Sequence, residues 1–595
     1  MKNVFFIIND SMRFEAIGDG RWGDSATPFI DTLKDKAVFA KNIYSQGPYT
    51  EAAIRCLLSG RDLLSDGGYL YRMYNTPYTV FETIKQNGYE IYYTASPDLL
   101  YSQKTLAAID HIIYAGCPNF IDFYTYRVAY YLDLLKAGKC FDRGKLINLF
   151  EIEFTQTIHF YESYTKNQNA EAFDLIKNQL IKRDVSAILN VWKTEYIKFI
   201  QNKNAYIDDV IKYEKQHPLY KMTEHLWALE TDGSVMQKMY KKNQNFFEMC
   251  LKFQKRMNLR NGVQYSKLLI SLLVRIKQKI FNEKLENFHT SNYFANWHHM
   301  SNNDWKSLLV FPEKARFEVW PSMKKQIDFF ISQLVTRKEK DKPFFVVMHT
   351  LNAHYLNAML SYDVVDEHVL QKEIDVLKDD FNKLSKNFCG YLSYRQAIRY
   401  IDYYTEYLFS ELEKKGLLHN TIVSFSSDHG SSFGPSYVRE TPKVNNQYRE
   451  NYHIPFFAYD GETVCDTEEM ATSKDVFPTL FEMAGIEKSI YCTGHSLLTD
   501  MNTEIVHSEY LGPGCPDLMK KKIRYIGRTK KYSIAYECFL SDDFDKGVMI
   551  SCFDIEHDKN ELNNLKFTID KDEISPILNF LKLRHMKLQE DNMHV

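Results

Sequence analysis

The sequence predicts an α/β fold, with a central, mostly parallel sheet flanked by helices, a large helical insertion and a small C-terminal α+β subdomain. Three observations predict it. Short apolar runs rich in β-branched and aromatic residues, Val4 to Ile8, Phe344 to Met348 and Ile422 to Phe425, each break into polar residues at their C-terminal ends, as buried strands do. Helical and strand patterns alternate on both sides of the middle, as in TVFETIKQNG followed by YEIYY over residues 79–93. From about Phe120 to Glu286 the alternation gives way to long stretches with apolar residues at helical spacing, Lys and Glu between them and few Gly or Pro. These shifts divide the chain into 1–115 and 321–490 as two parts of one α/β core, 116–320 as a helical insertion that caps this core or mediates assembly, and 491–595 as the C-terminal subdomain.

Composition narrows the function. The 595 residues hold Lys+Arg 74 against Asp+Glu 77, a net charge of -3, which argues against bulk nucleic-acid or acidic-membrane binding. The 10 Cys include no CxxC pair, and the chain opens directly on a core strand with no basic leader, so a reduced cytoplasmic protein is expected. No apolar run approaches the length of a membrane helix.

In chain order, NVFFIINDSMR is a strand ending in Asn9-Asp10, and Asp10 reads either as a metal ligand at a strand end or as a helix N-cap. Thr27-Pro28 opens a helix through Leu33, and Val38-Phe39-Ala40 follows as a strand. In GPYTEAAIRCLLSGRD the turn at Gly47-Pro48 sets Tyr49-Thr50 at the start of a helix, where Thr50 is either a cap or a hydroxyl beside an anion site. Cys56, on an apolar stretch of that helix, reads as a buried core thiol. The aromatic stripes of the insertion read as helix-packing core.

After a helix from Met323 to Val335, KPFFVVMHTLNAHY brings His349 and His354 to another strand end, which points to at least one active-site histidine. The helix closed by Gly416 leads into IVSFSSDHG, where Asp428 and His429 stand side by side at a strand end and could hold a divalent metal. Tyr452 to Phe457 reads as a strand, Asp475 to Ala484 as a helix, and the tail from Ile505 as strands and turns before a Lys-rich, solvated helix.

Taken together, these residues resemble the sulfatase branch of the alkaline phosphatase superfamily, over most of 1–100 and 320–565. NVFFIINDSMR is similar to its first metal-bearing strand, LLSGRD to the segment after the nucleophile, YIDYYTEYLFSELEKKGLLHNTIVSFSSDHG to its helix–strand–DHG block, KDVFPTLFEMAGI to a late helix and CFDIEHDKNELNNL to its C-terminal signature. Asp10-Ser11-Met12-Arg13, Asp428-His429 and NYHIPFF resemble the cytosolic phosphonate monoesterase and phosphodiesterase members. The family's CxPxR segment is replaced by Thr50-Glu51-Ala52-Ala53-Ile54, ten residues back from Gly60, with Arg55 one place late. No Cys or Ser stands there for conversion to formylglycine, so none is expected. An unmodified Thr resembles phosphoethanolamine and lipoteichoic-acid transferases and nucleotide pyrophosphatases.

The resemblance implies an alkaline-phosphatase-like sandwich in which Asp10, Thr50, Asp428 and His429 hold a divalent metal, Zn or Mn ahead of Ca or Mg. Thr50 is then the nucleophile of a hydrolase or transferase acting on phosphate mono- or diesters or phosphonate esters through a phosphothreonine. His354, His349 or His453 would contact substrate oxygens, protonate the leaving group or complete a second metal site, and Arg55 or Lys443 would clamp the anion. Two alternatives stay open: a sulfate ester hydrolase with unmodified Thr50, and a degenerate binding or assembly protein. The expected partner is a small-molecule, glycan-linked or lipid-linked phosphate or sulfate ester, with no nucleic acid and no membrane span; homo-oligomerisation stays open.

Overall fold

A computed structural model describes residues 1–18, 25–68, 71–96, 99–118, 128, 131–132, 135, 142–181, 184–216, 321–354, 389–431, 448–499, 502–511 and 522–593. Twelve strands form two sheets among them. The larger is built from β1 (Asn3–Asn9), β2 (Val38–Tyr44), β3 (Glu90–Ala95), β4 (His111–Tyr114), β5 (Phe344–Thr350), β6 (Thr421–Ser426), β7 (Phe456–Tyr459) and β8 (Cys465–Thr472), in the order β4-β3-β5-β1-β6-β7-β2-β8. Every neighbouring pair is parallel except the two made by β7, which pairs antiparallel with β6 and β2.

β1 lies at the centre because both of its faces are apolar. Phe5 and Ile7 enter one core, with Phe344, Val346, Met348, Val423 and Phe425 of the neighbouring strands. Val4, Phe6 and Ile8 enter the other, with Phe345, Val347 and Ile422. The helices Met323–Thr336 and Cys389–Lys414 cover the first face, and Thr50–Ser59, Val80–Gln86 and Val476–Ala484 cover the second. A strand buried on both sides reads as a continuous apolar run, which is why these elements are visible in the sequence. The parallel register also brings the C-terminal ends of β5, β1 and β6 to one edge, with Ile8 opposite His349 on one side and Ser426 on the other.

The smaller sheet is antiparallel: β9 (Val506–Tyr510), β10 (Lys522–Arg528), β11 (Tyr532–Phe539) and β12 (Val548–Asp554), in the order β12-β11-β10-β9. The Lys571–Met593 helix lies on it. This element corrects the expectation of a solvated helix, since Ile574, Ile577, Leu581 and Leu588 are buried in the core beneath it. Ala52, Cys56, Leu63 and Leu64 join the same core, so the Thr50–Ser59 helix is held between both sheets. Within the insertion, the described helices Arg143–Lys166, Val185–Gln201 and Lys203–Gln216 share a separate aromatic core around Phe150, Phe154, Trp192 and Phe199. That core meets the large sheet at its β4 edge, where Tyr114 packs against Phe160 at 4.7 Å. Among the described residues no helix is long and apolar enough to cross a membrane.

Candidate active site

The sequence left Thr50 as either a cap or a site hydroxyl, and the structure shows where its side chain points. Tyr49 occupies the N-cap position of the Thr50–Ser59 helix and makes no side-chain cap. Thr50 is the first helical residue, and its hydroxyl donates to Asp10 Oδ2 at 3.1 Å and lies 3.3 Å from His429 Nε2. A threonine hydroxyl at a helix start ordinarily satisfies a free backbone N–H; this one is turned onto two candidate metal ligands. Gly47 permits the turn that delivers it, since a Cβ there would lie 2.9 Å from Ala52 Cβ.

Asp10, Asp428 and His429 are all buried, and one ligand atom from each lies within 4.8 Å of the others. His429 Nε2 is 3.7 Å from Asp10 Oδ1 and 3.6 Å from Asp428 Oδ2. Asp428 Oδ1 is already engaged, accepting from the backbone N–H groups of His429 at 2.8 Å and Ser11 at 3.2 Å. Asp428 Oδ2 is buried with no hydrogen-bond partner among the described residues. A buried carboxylate oxygen without a donor is costly unless a cation completes it. Two carboxylates, an imidazole and a hydroxyl suit a divalent cation, with mixed N and O donors.

The electrostatics agree. Burial pushes the Asp10 carboxyl up, but His354, His349 and His429 outweigh it and hold the group well below the usual carboxylate range. Burial and the neighbouring Asp10 charge raise Asp428. Burial lowers His349, yet Asp10, 3.3 Å from its Nε2, and Asp428 bring its net shift upward. His354 is half-buried, and its Nδ1 has no hydrogen-bond partner among the described residues. Gly430 is required by close passage of chain: a Cβ there would overlap the Glu450 carbonyl, and its N–H bonds to Asn451 O at 2.9 Å.

The structure therefore brings together Asp10, Thr50, His349, Asp428 and His429, with His354 close enough to act on the Asp10 charge. Arg55 is not with them. Its Nη1 donates to Leu63 O at 2.8 Å and its Nη2 lies 3.3 Å from Asp66 Oδ2, so it holds the loop after the helix instead of an anion. His453 is also displaced: Nδ1 lies 3.0 Å from Glu15 Oε1, Nε2 lies 2.8 Å from Lys41 O, and the ring is packed between Phe14 and Tyr44. Lys443 lies outside the described residues. Cys56 is the expected core thiol, with burial pushing it up to about 12. Sequence reasoning missed Ser11, whose backbone N–H reaches Asp428, and Ser427, whose hydroxyl ties the end of β6 to that of β1. Ser427 Oγ donates within reach of Asn9 O and His429 O, both at 2.6 Å, and accepts from Met12 N–H at 2.9 Å. The available signal was two serines ending a buried strand before Asp428.

The sulfatase family model matches residues 2–185 and 237–486. The chain belongs to the sulfatase family. This is a family of hydrolases within the alkaline phosphatase superfamily, as the sequence motifs implied. Among curated relatives, an arylsulfatase of Clostridium perfringens is 24% identical over 280 residues, 41% of this chain and 53% of the relative. A candidate extracellular sulfatase, the Sulf-1 homologue of Caenorhabditis elegans, is 28% identical over 153 residues, 23% of this chain and 21% of the relative. The sulfatase-family chain thus aligns with about half or less of those relatives' lengths. Among solved structures, the candidate sulfatase yidJ of Bacteroides fragilis covers 99% of this chain and 96% of its own at 14% identity, with a TM-score of 0.51. That likeness supports the mixed α/β sandwich with its mostly parallel sheet.

Proposed function

We propose that this sulfatase-family protein is a metal-dependent ester hydrolase or transferase that uses unmodified Thr50 as its nucleophile on phosphate mono- or diesters or phosphonate esters. The observation that carries the reading is the Thr50 hydroxyl, turned away from its helix and held between Asp10 and His429. Asp10, Thr50, Asp428 and His429 would hold the cation. When bound, it supplies positive charge that lowers the hydroxyl's pKa and neutralises charge on the transferred group.

The chain's own residues account for the remaining work. Asp10 stays ionised and accepts the Thr50 hydrogen bond, which fixes the direction of Oγ. Thr50 Oγ gives up its proton to solvent and forms a bond to phosphorus as the bond from phosphorus to the leaving oxygen breaks, giving a phosphothreonine. His354, with a ring nitrogen open to a ligand, protonates the departing oxygen, and water or an acceptor alcohol then releases the phosphoryl group. The substrate ester is carried on a small molecule, a glycan or a lipid.

Mass spectrometry of the Thr50 peptide tests this reading after incubation with an aryl phosphodiester and Mn or Zn. One added phosphoryl group on Thr50 is expected. Turnover by a Thr50→Ala variant at the wild-type rate would overturn it. The family match and the arylsulfatase relative favour a second reading, sulfate ester hydrolysis by the same unmodified Thr50. Release assays with paired aryl sulfate and aryl phosphodiester substrates separate the two.

A further inference from the structure

We propose that Ser11 is the positioning residue of the candidate cation site, holding Asp10 by its hydroxyl and Asp428 by its backbone N–H so that one oxygen of each carboxylate is left for Thr50 and the cation. The proposal rests on the reading of Asp10, Asp428 and His429 as cation ligands.

Ser11 Oγ donates to Asp10 Oδ1 at 2.7 Å, and Ser11 N–H donates to Asp428 Oδ1 at 3.2 Å. Ser11 thus bonds both carboxylates, Asp10 through its side chain and Asp428 through its backbone. Each bond engages Oδ1 of its carboxylate, which for Asp10 also lies 3.7 Å from His429 Nε2. Asp10 Oδ2 remains for the Thr50 hydroxyl, and Asp428 Oδ2 remains buried without a donor. A carboxylate free to rotate about its own bond would exchange these oxygens; one anchored through Oδ1 cannot do so without breaking the anchor.

The backbone of Ser11 carries a cost that this arrangement explains. Its φ of 65° lies in the left-handed region, which residues with a Cβ rarely adopt. An extended residue would prolong β1; the left-handed one turns the chain sharply after Asp10 and lets the N–H meet Asp428 from the adjacent strand. Surrounding bonds keep it there. Tyr394 Oη donates to Ser11 O at 3.1 Å and accepts from Arg13 N–H at 2.7 Å, while Met12 N–H is held by Ser427 Oγ. Strain retained next to a buried, donorless carboxylate oxygen is the kind that persists where geometry serves a ligand.

Two variants separate the two bonds. Ser11→Gly keeps the left-handed turn and the N–H but loses the hydroxyl. Ser11→Thr keeps the hydroxyl on a β-branched residue that disfavours the turn and so weakens the bond to Asp428. The full chain, stripped with chelator, is titrated calorimetrically with Mn²⁺ and separately with Zn²⁺, and the thermal midpoint of the metal-free protein is recorded. Cation affinity of Ser11→Gly is expected to fall about tenfold or more, with a metal-free midpoint close to that of the wild type. Ser11→Ala, which also loses only the hydroxyl, decides the matter if the glycine variant does not fold. Affinities for both cations within about twofold of wild type in the glycine or alanine variant, well under the loss expected for a ligand-orienting partner, would overturn the proposal while leaving the cation site intact. A wild-type protein that takes up neither cation overturns the cation-site reading and the proposal with it, a result visible before any variant is measured.

Discussion

The Thr50–Ser59 helix has a cluster of buried charge at each end, and the two are built on opposite rules. At its start, the ion-pairing neighbours of Asp10 and Asp428 among the described residues are imidazoles; no lysine or arginine among them pairs with either, and Asp428 Oδ2 has no donor. Past its end, Asp62 lies 2.8 Å from Lys474 Nζ and 3.5 Å from Arg584 Nη1, and takes a hydrogen bond from Gln46 at 2.9 Å. Glu509 is held at both oxygens by Arg584, at 2.5 and 3.2 Å, and by Leu64 N–H at 2.9 Å. In the second cluster two carboxylates meet two cations. It fastens the C-terminal helix and sheet to the core. The first cluster is short of positive charge among the described residues, which supports the proposal that a cation completes it.

The largest expected effect belongs to the incomplete cluster. Thr50→Ala should lower turnover of an aryl phosphodiester by about a thousandfold or more, the scale for loss of a nucleophile, while the thermal midpoint stays close to wild type. A variant that loses stability and keeps turnover would reverse the assignment of the two ends. Arg584→Met should do what Thr50→Ala does not. It leaves buried Glu509 without its guanidinium partner while Asp62 keeps Lys474, and loss of one partner of a buried ion pair costs about 3–5 kcal/mol. Denaturant unfolding of the full chain measures it.

The same pairing predicts a pH dependence with a definite sign. Burial would raise Glu509, but Arg584 and His507 outweigh it and hold the carboxyl at about 2, below its ordinary value of 4.5. A folded-state pKa below the unfolded one means stability that is complete above about 4.5 and lost as pH falls toward about 2. The contribution is on the order of 3 kcal/mol. Unfolding midpoints in Arg584→Met should change less across that window than those of the wild type; an equal change would place the linkage elsewhere. Asp428→Asn should act in the other direction. It removes a buried charge that Asp10 repels, so the metal-free protein is expected to gain about 1 kcal/mol of stability as it loses cation affinity.

The contrast also shows what a sequence can and cannot disclose. β1, β5 and β6 were legible because both faces are buried and the apolar run is continuous, and their polar ends gave Asp10, His349, Asp428 and His429. β8 was not, because Cys465–Thr472 is an edge strand that turns Asp466 and Glu468 toward solvent and so reads as a loop. β7 was placed too early: it runs from Phe456 to Tyr459, and the preceding His453 serves the packing between Phe14 and Tyr44. Arg55 was misjudged by sequence distance. Five residues along a helix amount to a rotation of about 140° away from the starting face, which carries its guanidinium from the site to Asp66. Thr50 could be located but not assigned, since capping and catalysis differ only in the direction of one hydroxyl.

The smallest expected effect concerns Cys56, two turns from Thr50 at most and the one thiol on that helix. Its thiol is fully buried and lies 3.3 Å from Gln46 Oε1 and 3.5 Å from Ser473 Oγ, beside the completed cluster. Burial pushes it up to about 12, so near neutral pH almost none is thiolate, and only the thiolate attacks. Native protein treated with iodoacetamide at pH 8 should keep an unmodified Cys56 and full turnover, and peptide mapping reads both the site and the extent of alkylation. Modification of Cys56 in proportion to lost activity would transfer the nucleophile along the helix, and with it the distinction between the two ends. Protection of Cys56 alongside a phosphorylated Thr50 would confine the chemistry to the end whose charges the protein leaves unbalanced.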